Sequence, residues 1–248
     1  MTETALMVQA ADRPRAGTVV LAIPTLNEEA AIADVVRAIP RGVVGRVIVA
    51  DGGSTDATAA RAQDAGADVI EAGRGYGRAC LAAATAADGA DIVVFMDGDG
   101  ADDPASIAAL IAPIQAGAFD FVIGSRLLGA REPGSMSLHQ VAAGLMAGFG
   151  MRMLYGVRYT DMCAFRAIRR ETLLDLGMRE ETYGWNLEMQ MRVARAGLRV
   201  LEVPVAYRRR IGGESKVAGS LRGSVKAGLK IMSTFARIAV EPTRTSSS

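Results

Sequence analysis

Along the first half of the chain, short runs rich in Val, Ile and Phe alternate with longer stretches of helical character. Thr18 to Ile23, Arg46 to Ala50, Asp68 to Glu71, Asp91 to Met96 and Phe119 to Gly124 read as strands, each followed by a turn signal. Glu28 to Ile39, Thr55 to Ala65, Tyr76 to Ala87 and Pro104 to Ala116 read as helices, with Asn27, Ser54 and Asp103 as cap candidates and Pro104 near a first helical turn. This alternation predicts an α/β fold, a mostly parallel central sheet covered by helices on both faces in three layers. From Leu138 the pattern changes to a helix up to Leu154, a short strand around Ala164 to Ile168, a helix near Gly184 to Ala196 and a strand from Arg199 to Val205. No repeat or low-complexity linker separates the halves, so they read as one domain. Around it lie a flexible start over residues 1–17, an amphipathic helix over 219–240 and a disordered tail over 241–248.

Composition narrows the classes. The 248 residues suit one large domain, or one with a small appendage, on a prior of roughly 100–200 residues per domain. A net charge of +1 argues against a nucleic-acid partner. Cys80 and Cys163, the only cysteines, make no disulfide framework, and a reducing cytoplasm is the expected setting. Residues 1–17 lack the basic start and apolar run of a secretory signal, and no segment reaches the roughly 18 apolar residues of a spanning helix. Contact with a membrane, if any, is expected at its surface.

Chemistry concentrates where strands end. Val93 to Met96 runs straight into Asp97-Gly98-Asp99-Gly100, two carboxylates at i, i+2 that no apolar core would accept without a charged partner. A divalent cation shared with a diphosphate is such a partner. Two more strand ends carry acidic loops, Pro24-Thr25-Leu26-Asn27-Glu28-Glu29 and Asp51-Gly52-Gly53-Ser54-Thr55-Asp56, and in a parallel sheet all three share one rim. Asp51 suits a nucleobase N–H and Glu28 a ribose hydroxyl, while the glycines allow close backbone approach. Singly, Asn27, Ser54 and Asp103 are equally well explained as helix caps. No Gly-x-Gly-x-x-Gly follows the first strand and no Walker-type loop occurs, against dehydrogenase and ATPase readings. Gly73-Arg74-Gly75-Tyr76-Gly77-Arg78 is either a tight turn or a phosphate site offering Arg74 and backbone donors at a helix start.

In order, Ile23 to Glu29, Ala50 to Thr58 and Met96-Asp97-Gly98-Asp99 resemble glycosyltransferase family 2, whose members have the GT-A fold. Gly124-Ser125-Arg126, Asp161 to Ala167, Leu187 to Arg192, Glu202-Val203-Pro204 and Arg210-Ile211-Gly212-Gly213-Glu214-Ser215-Lys216 are similar to the catalytic domains of dolichyl-phosphate mannosyltransferases and related polyprenyl-phosphate enzymes. The resemblance covers about residues 18–218. It implies a GT-A domain that binds a nucleotide-diphosphate sugar such as GDP-mannose or UDP-glucose and transfers the hexose with inversion, with Mg²⁺ or Mn²⁺ held by Asp97 and Asp99. Pro24, Thr25, Asn27, Glu28, Asp51, Gly52, Arg74, Gly77 and Gly98 then fall at the donor. Arg126, Arg210, Ser215 and Lys216 would meet the diphosphate or an acceptor phosphate. His139, Asp161, Trp185 and Glu188 fall on the acceptor side. The best implied acceptor is a polyprenyl or dolichyl phosphate, with a hydroxyl of a small metabolite or lipid as the alternative.

Lys216 is one of only three lysines, with Lys226 and Lys230, in a chain otherwise written in arginine, which favours phosphate contact. An anionic lipid phosphate needs no general base. A hydroxyl acceptor does, and Glu188 is then the candidate, unless it pairs with Arg192 at i, i+4 on an exposed face. Asp161 is a second candidate, or a buried partner of Arg166 or Arg169. Two departures from the polyprenyl-phosphate pattern bear on the acceptor. Ala101 stands where relatives often place a third polar metal ligand, and Leu138-His139-Gln140 stands where they often place arginine. Leu221, Val225, Leu229, Met232 and Phe235 with Arg222, Lys226, Lys230 and Arg237 form an amphipathic stripe suited to an anionic membrane, to the domain itself or to a second copy. From another class, a nucleotidyltransferase would use a similar domain, but would place a basic glycine-rich loop where Pro24 to Glu29 stand.

Overall fold

The computed structural model describes residues 18–212 and 233–241. The expected flexible start, Ser215, Lys216, and most of the expected C-terminal helix and tail lie outside the described residues. Seven strands form one sheet in the order β3-β2-β1-β4-β6-β5-β7: β1 Val19–Thr25, β2 Arg46–Asp51, β3 Asp68–Glu71, β4 Ile92–Phe95, β5 Phe121–Ser125, β6 Arg166–Arg169 and β7 Val200–Pro204. Every residue of β1, β4 and β5 is buried, as strands covered on both faces must be. The helices are α1 Ile32–Ala38, α2 Thr58–Asp64, α3 Tyr76–Ala86, α4 Ile107–Gln115, α5 Leu138–Tyr155, α6 Arg170–Asp175 and α7 Trp185–Arg195. The strands and long helices expected between residues 18 and 212 all occur. The short α6 was not expected, and α1 and α2 start later than their patterns suggested.

The late starts have a local cause. Asn27 and Ser54 do not cap helices; the N-cap positions of α1 and α2 are Ala31 and Ala57, which offer no capping side chain. Instead the loops after β1 and β2 bind each other. Asn27 N–H donates to Ser54 Oγ at 2.9 Å, Thr55 N–H to Asn27 Oδ1 at 2.8 Å, and Glu28 N–H to Thr58 Oγ1 at 2.8 Å. Asn27 takes φ 52° to do so, a left-handed conformation that asparagine tolerates better than most residues. Only Asp103 caps as expected, accepting from Ala105 N–H at 3.3 Å ahead of a short 3₁₀ turn.

Strand direction then builds the rim. β1 has β2 on one side and β4 on the other, so the winding reverses between β1 and β4, where open α/β sheets bind ligands. The β1–β2 ladder runs on to Thr25–Asp51, whereas β1–β4 ends at Ala22–Phe95. Pro24, which has no N–H to give, stands where β4 has already turned away. β6 is antiparallel to both neighbours, so its amino end, and the loop before it, reaches the same rim as the carboxyl ends of the others.

Arg166 opens β6 and is wholly buried, an arginine with no carboxylate partner among the described residues. Its guanidinium donates to the Asn186 carbonyl at 3.0 Å, to that of Ala164 at 3.3 Å and to that of Cys163, and stacks 5.9 Å from the Phe121 ring centre. Burial lowers its pKa, and the carbonyls replace the water it lost. It ties the rim loop 162–165 to the start of α7. Arg166→Ala should therefore cost about 3 kcal/mol or more, since several buried carbonyls lose their donor at once, as measured by urea denaturation monitored at Trp185.

Candidate active site

The floor of the crevice is the turn that follows β4. Gly98 can lie flat against β1 because it lacks a side chain: a Cβ there would stand 2.9 Å from Thr25 Cγ2. Gly100, at φ 79°, turns the chain back toward Asp102. Asp99 and Asp102 are buried and Asp97 partly so. Asp97 Oδ1 accepts from Tyr76 Oη at 3.2 Å, and its own N–H donates to Asp102 Oδ2 at 3.3 Å. Asp99 Oδ1 accepts from Ala101 N–H at 2.9 Å, while Oδ2 lies 2.9 Å from Arg210 Nε as an ion pair without hydrogen-bond alignment. Asp102 Oδ1 has no hydrogen-bond partner among the described residues.

These groups crowd one another electrostatically. Desolvation, then the charge of Asp99, pushes the Asp97 carboxyl up to about 6. Burial, then Asp97 and Asp99, pushes Asp102 well above the usual carboxylate range. A cluster of this kind holds a proton or recruits a cation. Arg210 comes from the strip that follows β7 and covers the turn. Ile211 N–H donates to the Asp99 carbonyl at 3.1 Å, Arg208 N–H to the Ala101 carbonyl at 2.8 Å, and Tyr207 bridges to Asp102.

On the β1–β2 side, Asp51 is folded into its own loop. Oδ2 accepts from the N–H groups of Gly53 and Ser54 at 3.1 and 2.9 Å, and Oδ1 from Ser54 Oγ at 2.5 Å and Thr25 Oγ1 at 3.4 Å. Gly52 N–H donates to the Thr25 carbonyl at 2.8 Å. Thr25, Asn27, Glu28, Asp51 and Gly52 therefore form one laced edge of the crevice. Arg74 is exposed on the loop into α3, two residues before Tyr76. The fold itself requires glycine here: a Cβ on Gly77 would stand 2.0 Å from the Glu180 carbonyl, and one on Gly75 2.4 Å from that of Glu181.

On the β5–β6 side, Arg126 is already engaged. Its Nε and Nη2 donate to Asp161 at 2.8 and 2.7 Å, its backbone N–H to the same carboxylate at 3.0 Å, and its guanidinium lies 4.9 Å from the Tyr207 ring centre. Burial alone would raise the Asp161 pKa, but the Arg126 fork outweighs it and the pKa is lowered. Asp161 is thus the partner of Arg126, not of Arg166 or Arg169 as its sequence neighbourhood suggested. Glu202 on β7 fixes the loop by accepting from Thr160 N–H at 2.8 Å and Asp161 N–H at 3.3 Å.

Three expected acceptor-side residues are placed differently. Glu188 is wholly buried, not on an exposed face. One oxygen accepts from the N–H groups of Arg179 and Glu180 at 3.0 and 2.5 Å, and the other pairs with Arg192 at 2.9 Å and Arg237 at 3.4 Å. Both oxygens are occupied, which removes it as a free proton acceptor. Trp185 is core, edge-on to Phe95 with ring centres 6.3 Å apart. His139 is exposed in the first turn of α5, between Ser137 and Gln140 of the capping box. Arg237, expected on a membrane-facing stripe, turns inward to Glu188 and Glu241 from the helical residues 233–240.

Sequence reasoning missed Tyr76, Asp102 and Tyr207. Tyr76 and Asp102 lie inside motifs already singled out, where glycine and aspartate spacing drew the attention. Tyr207 carries no local signal, because its partners come from β4 and β5.

Comparison with known proteins places this crevice. The profile of glycosyl transferase family 2 matches residues 20–177. The chain is 40% identical over 212 residues to an uncharacterized glycosyltransferase of Mycobacterium tuberculosis, covering 84% of this chain and 94% of the relative. It is 31% identical over 223 residues to the polyprenol monophosphomannose synthase of Mycolicibacterium smegmatis, covering 84% and 83%. Among solved structures, glucosyl-3-phosphoglycerate synthase from Mycobacterium tuberculosis, in complex with Mn²⁺, UDP-glucose and phosphoglyceric acid, matches with a TM-score of 0.72 at 25% identity, over 92% of this chain and 82% of that one. The seven-stranded sheet, the crevice at its switch point and these relatives agree: the chain belongs to glycosyltransferase family 2 and is a glycosyltransferase of GT-A fold.

Proposed function

We propose that this glycosyltransferase moves a hexose from a nucleotide-diphosphate sugar to a phosphate-bearing acceptor, with inversion, using a divalent cation held by Asp97 and Asp99. The observation that carries this reading is the carboxylate cluster below the crevice. Asp99 Oδ2 meets Arg210 without an aligned hydrogen bond, and Asp102 Oδ1 has no hydrogen-bond partner among the described residues, which leaves oxygens of the cluster open to a cation. Among the described residues, no three Asp, Glu, His or Cys side chains converge to hold a metal alone. Two carboxylates plus diphosphate oxygens and water suit Mg²⁺ or Mn²⁺, which keep several non-protein ligands. Such an ion acts as a Lewis acid on the departing diphosphate.

The chain's own residues do the rest. The edge formed by Pro24 to Glu28 with Asp51 and Gly52 receives the nucleoside. Tyr76 holds Asp97 in orientation through its 3.2 Å hydrogen bond. Arg210, beside Asp99 at 2.9 Å, would be in reach of the diphosphate, and Ser215 and Lys216 would join it in this reading. Arg126, oriented by Asp161, presents its positive face toward the acceptor phosphate. An acceptor oxygen bonds to the anomeric carbon as the bond to the diphosphate breaks, and the nucleoside diphosphate leaves. A phosphate acceptor is already an anion and needs no base, which agrees with the engagement of Glu188.

Polyprenyl phosphate is the favoured acceptor, because the Mycolicibacterium smegmatis relative is a polyprenol monophosphomannose synthase over 83% of its length. A small phosphorylated acid is the second reading, favoured by the match to glucosyl-3-phosphoglycerate synthase.

Calorimetry of Mn²⁺ with UDP or GDP tests the metal assignment. Binding should fall by roughly a hundredfold or more in Asp99→Asn, given the several kcal/mol a buried charge-assisted ligand contributes. It should also weaken as pH drops through about 6, where Asp97 takes up a proton. The sign follows from competition. The raised pKa favours the metal-free fold below that pH and disfavours it above, where Mn²⁺ restores the lost stability. Unchanged binding in Asp99→Asn, or binding that strengthens in acid, contradicts the assignment.

Product analysis with UDP-glucose and GDP-mannose, each offered polyprenyl phosphate and 3-phosphoglycerate, tests the acceptor. Transfer to the lipid phosphate is expected, and transfer only to the small acid selects the second reading. Glu188→Gln should lose stability while keeping kcat within about tenfold, against the roughly hundredfold or greater loss expected on removing a general base.

A further inference from the structure

The outer face of α5 is apolar and uncovered by the described residues. On its inner side Gly144, Ala147, Gly148 and Met151 are buried. A Cβ on Gly148 would stand 1.9 Å from the Tyr159 carbonyl, so the helix lies tight against the segment that carries Asp161. On the other side Leu138, Phe149 and Met153 are 86%, 68% and 70% exposed, with Leu145 and Met146 beside them. At 3.6 residues per turn, Leu138, Leu145, Phe149 and Met153 fall within about 80° of one another along roughly 22 Å of helix. Single exposed leucines need no explanation, whereas a contiguous stripe of this size marks a contact surface.

Charge indicates what it contacts. α5 contains no Asp or Glu, and its stripe is flanked by Arg152 and His139, with Arg158 exposed just past the Gly156 cap. We propose that this face of α5 lies in the surface of an anionic membrane. The stripe enters the acyl boundary, the cations meet the head groups, and the rim that carries Arg126 and Asp161 sits close to the bilayer. The purpose of such a seat rests on the polyprenyl-phosphate reading, in which the acceptor's head group is presented from that surface. Two-fold packing on a second copy would cover the stripe as well. It would also bring Arg152 and its symmetry mate to one interface with no acidic residue on α5 to pair them. No helix among the described residues is long and apolar enough to cross a membrane, so this helix lies on the surface.

Co-sedimentation of the full chain with phosphatidylglycerol-rich and with phosphatidylcholine vesicles tests the proposal. Binding to the anionic vesicles is expected. Phe149→Ser combined with Met153→Ser should lower it by roughly tenfold or more, from the apolar area withdrawn. Arg152→Glu should weaken the preference for anionic lipid, and Mn²⁺–nucleotide binding should stay unchanged in both variants. Wild-type protein left in the supernatant, or a double variant that binds as wild type does, overturns the proposal. So does a concentration-dependent dimer that the double variant abolishes, which would assign the face to a second copy. If vesicle binding behaves as expected while no sugar reaches polyprenyl phosphate, the membrane seat stands and the acceptor reading falls.

Discussion

Carboxylates packed together below a crevice repel one another and lose their water, and the architecture around β4 is arranged to hold Asp97, Asp99 and Asp102 in that condition. β4 breaks from β1 after Ala22–Phe95, which opens the space. Gly98 and Gly100 let the turn lie close to β1 and reverse. The strip after β7 then lays Arg208 to Ile211 across the turn and sets Arg210 against Asp99. Arg210 pairs with Asp99 at the edge of this cluster, yet burial and mutual repulsion still raise the pKa of Asp97 and Asp102. In the proposed reading a divalent cation relieves this crowding.

The other half of the rim balances its charges internally. Glu202 fixes the backbone of Thr160 and Asp161, Asp161 grips Arg126, and Arg126 lies over Tyr207, whose backbone returns to Asp102. In the proposed reading the acceptor side is therefore a set of side chains already held in place, while the donor side is the crowded carboxylate cluster. Such a division suits a reaction in which one substrate brings a metal-bound diphosphate and the other brings its own anion. Behind it, Glu188 joins α7 to the helical residues 233–240 through Arg192 and Arg237, which explains its burial without any catalytic duty.

The sheet was legible because parallel strands buried on both faces write themselves as apolar runs, and the rim because strand ends in such a sheet must converge. Asp97 and Asp99 could be read for the same reason. Side chains whose partners arrive from distant strands could not. Asp161 sits near Arg166 and Arg169 in sequence, yet β6 runs antiparallel and the loop before it delivers Asp161 to Arg126, just past β5. Glu188 and Arg192 were legible as an i, i+4 pair, but their burial comes from residues 233–240. Asn27 and Ser54 have the chemistry of caps and are used instead to tie two loops together, a choice set by how β1 and β2 lie side by side. The glycines of 73–78 suggested a ligand cradle, but Gly75 and Gly77 make room for the backbone of 180 and 181.

The most direct test is a crystal structure with Mn²⁺ and UDP or GDP bound, read at the manganese absorption edge. An anomalous peak in contact with Asp97 or Asp99 and the diphosphate, with Arg210 moved from Asp99 onto a phosphate oxygen, is the predicted result. A peak elsewhere, or a bound nucleotide with Arg210 still paired to Asp99 and no metal at that carboxylate, would contradict it.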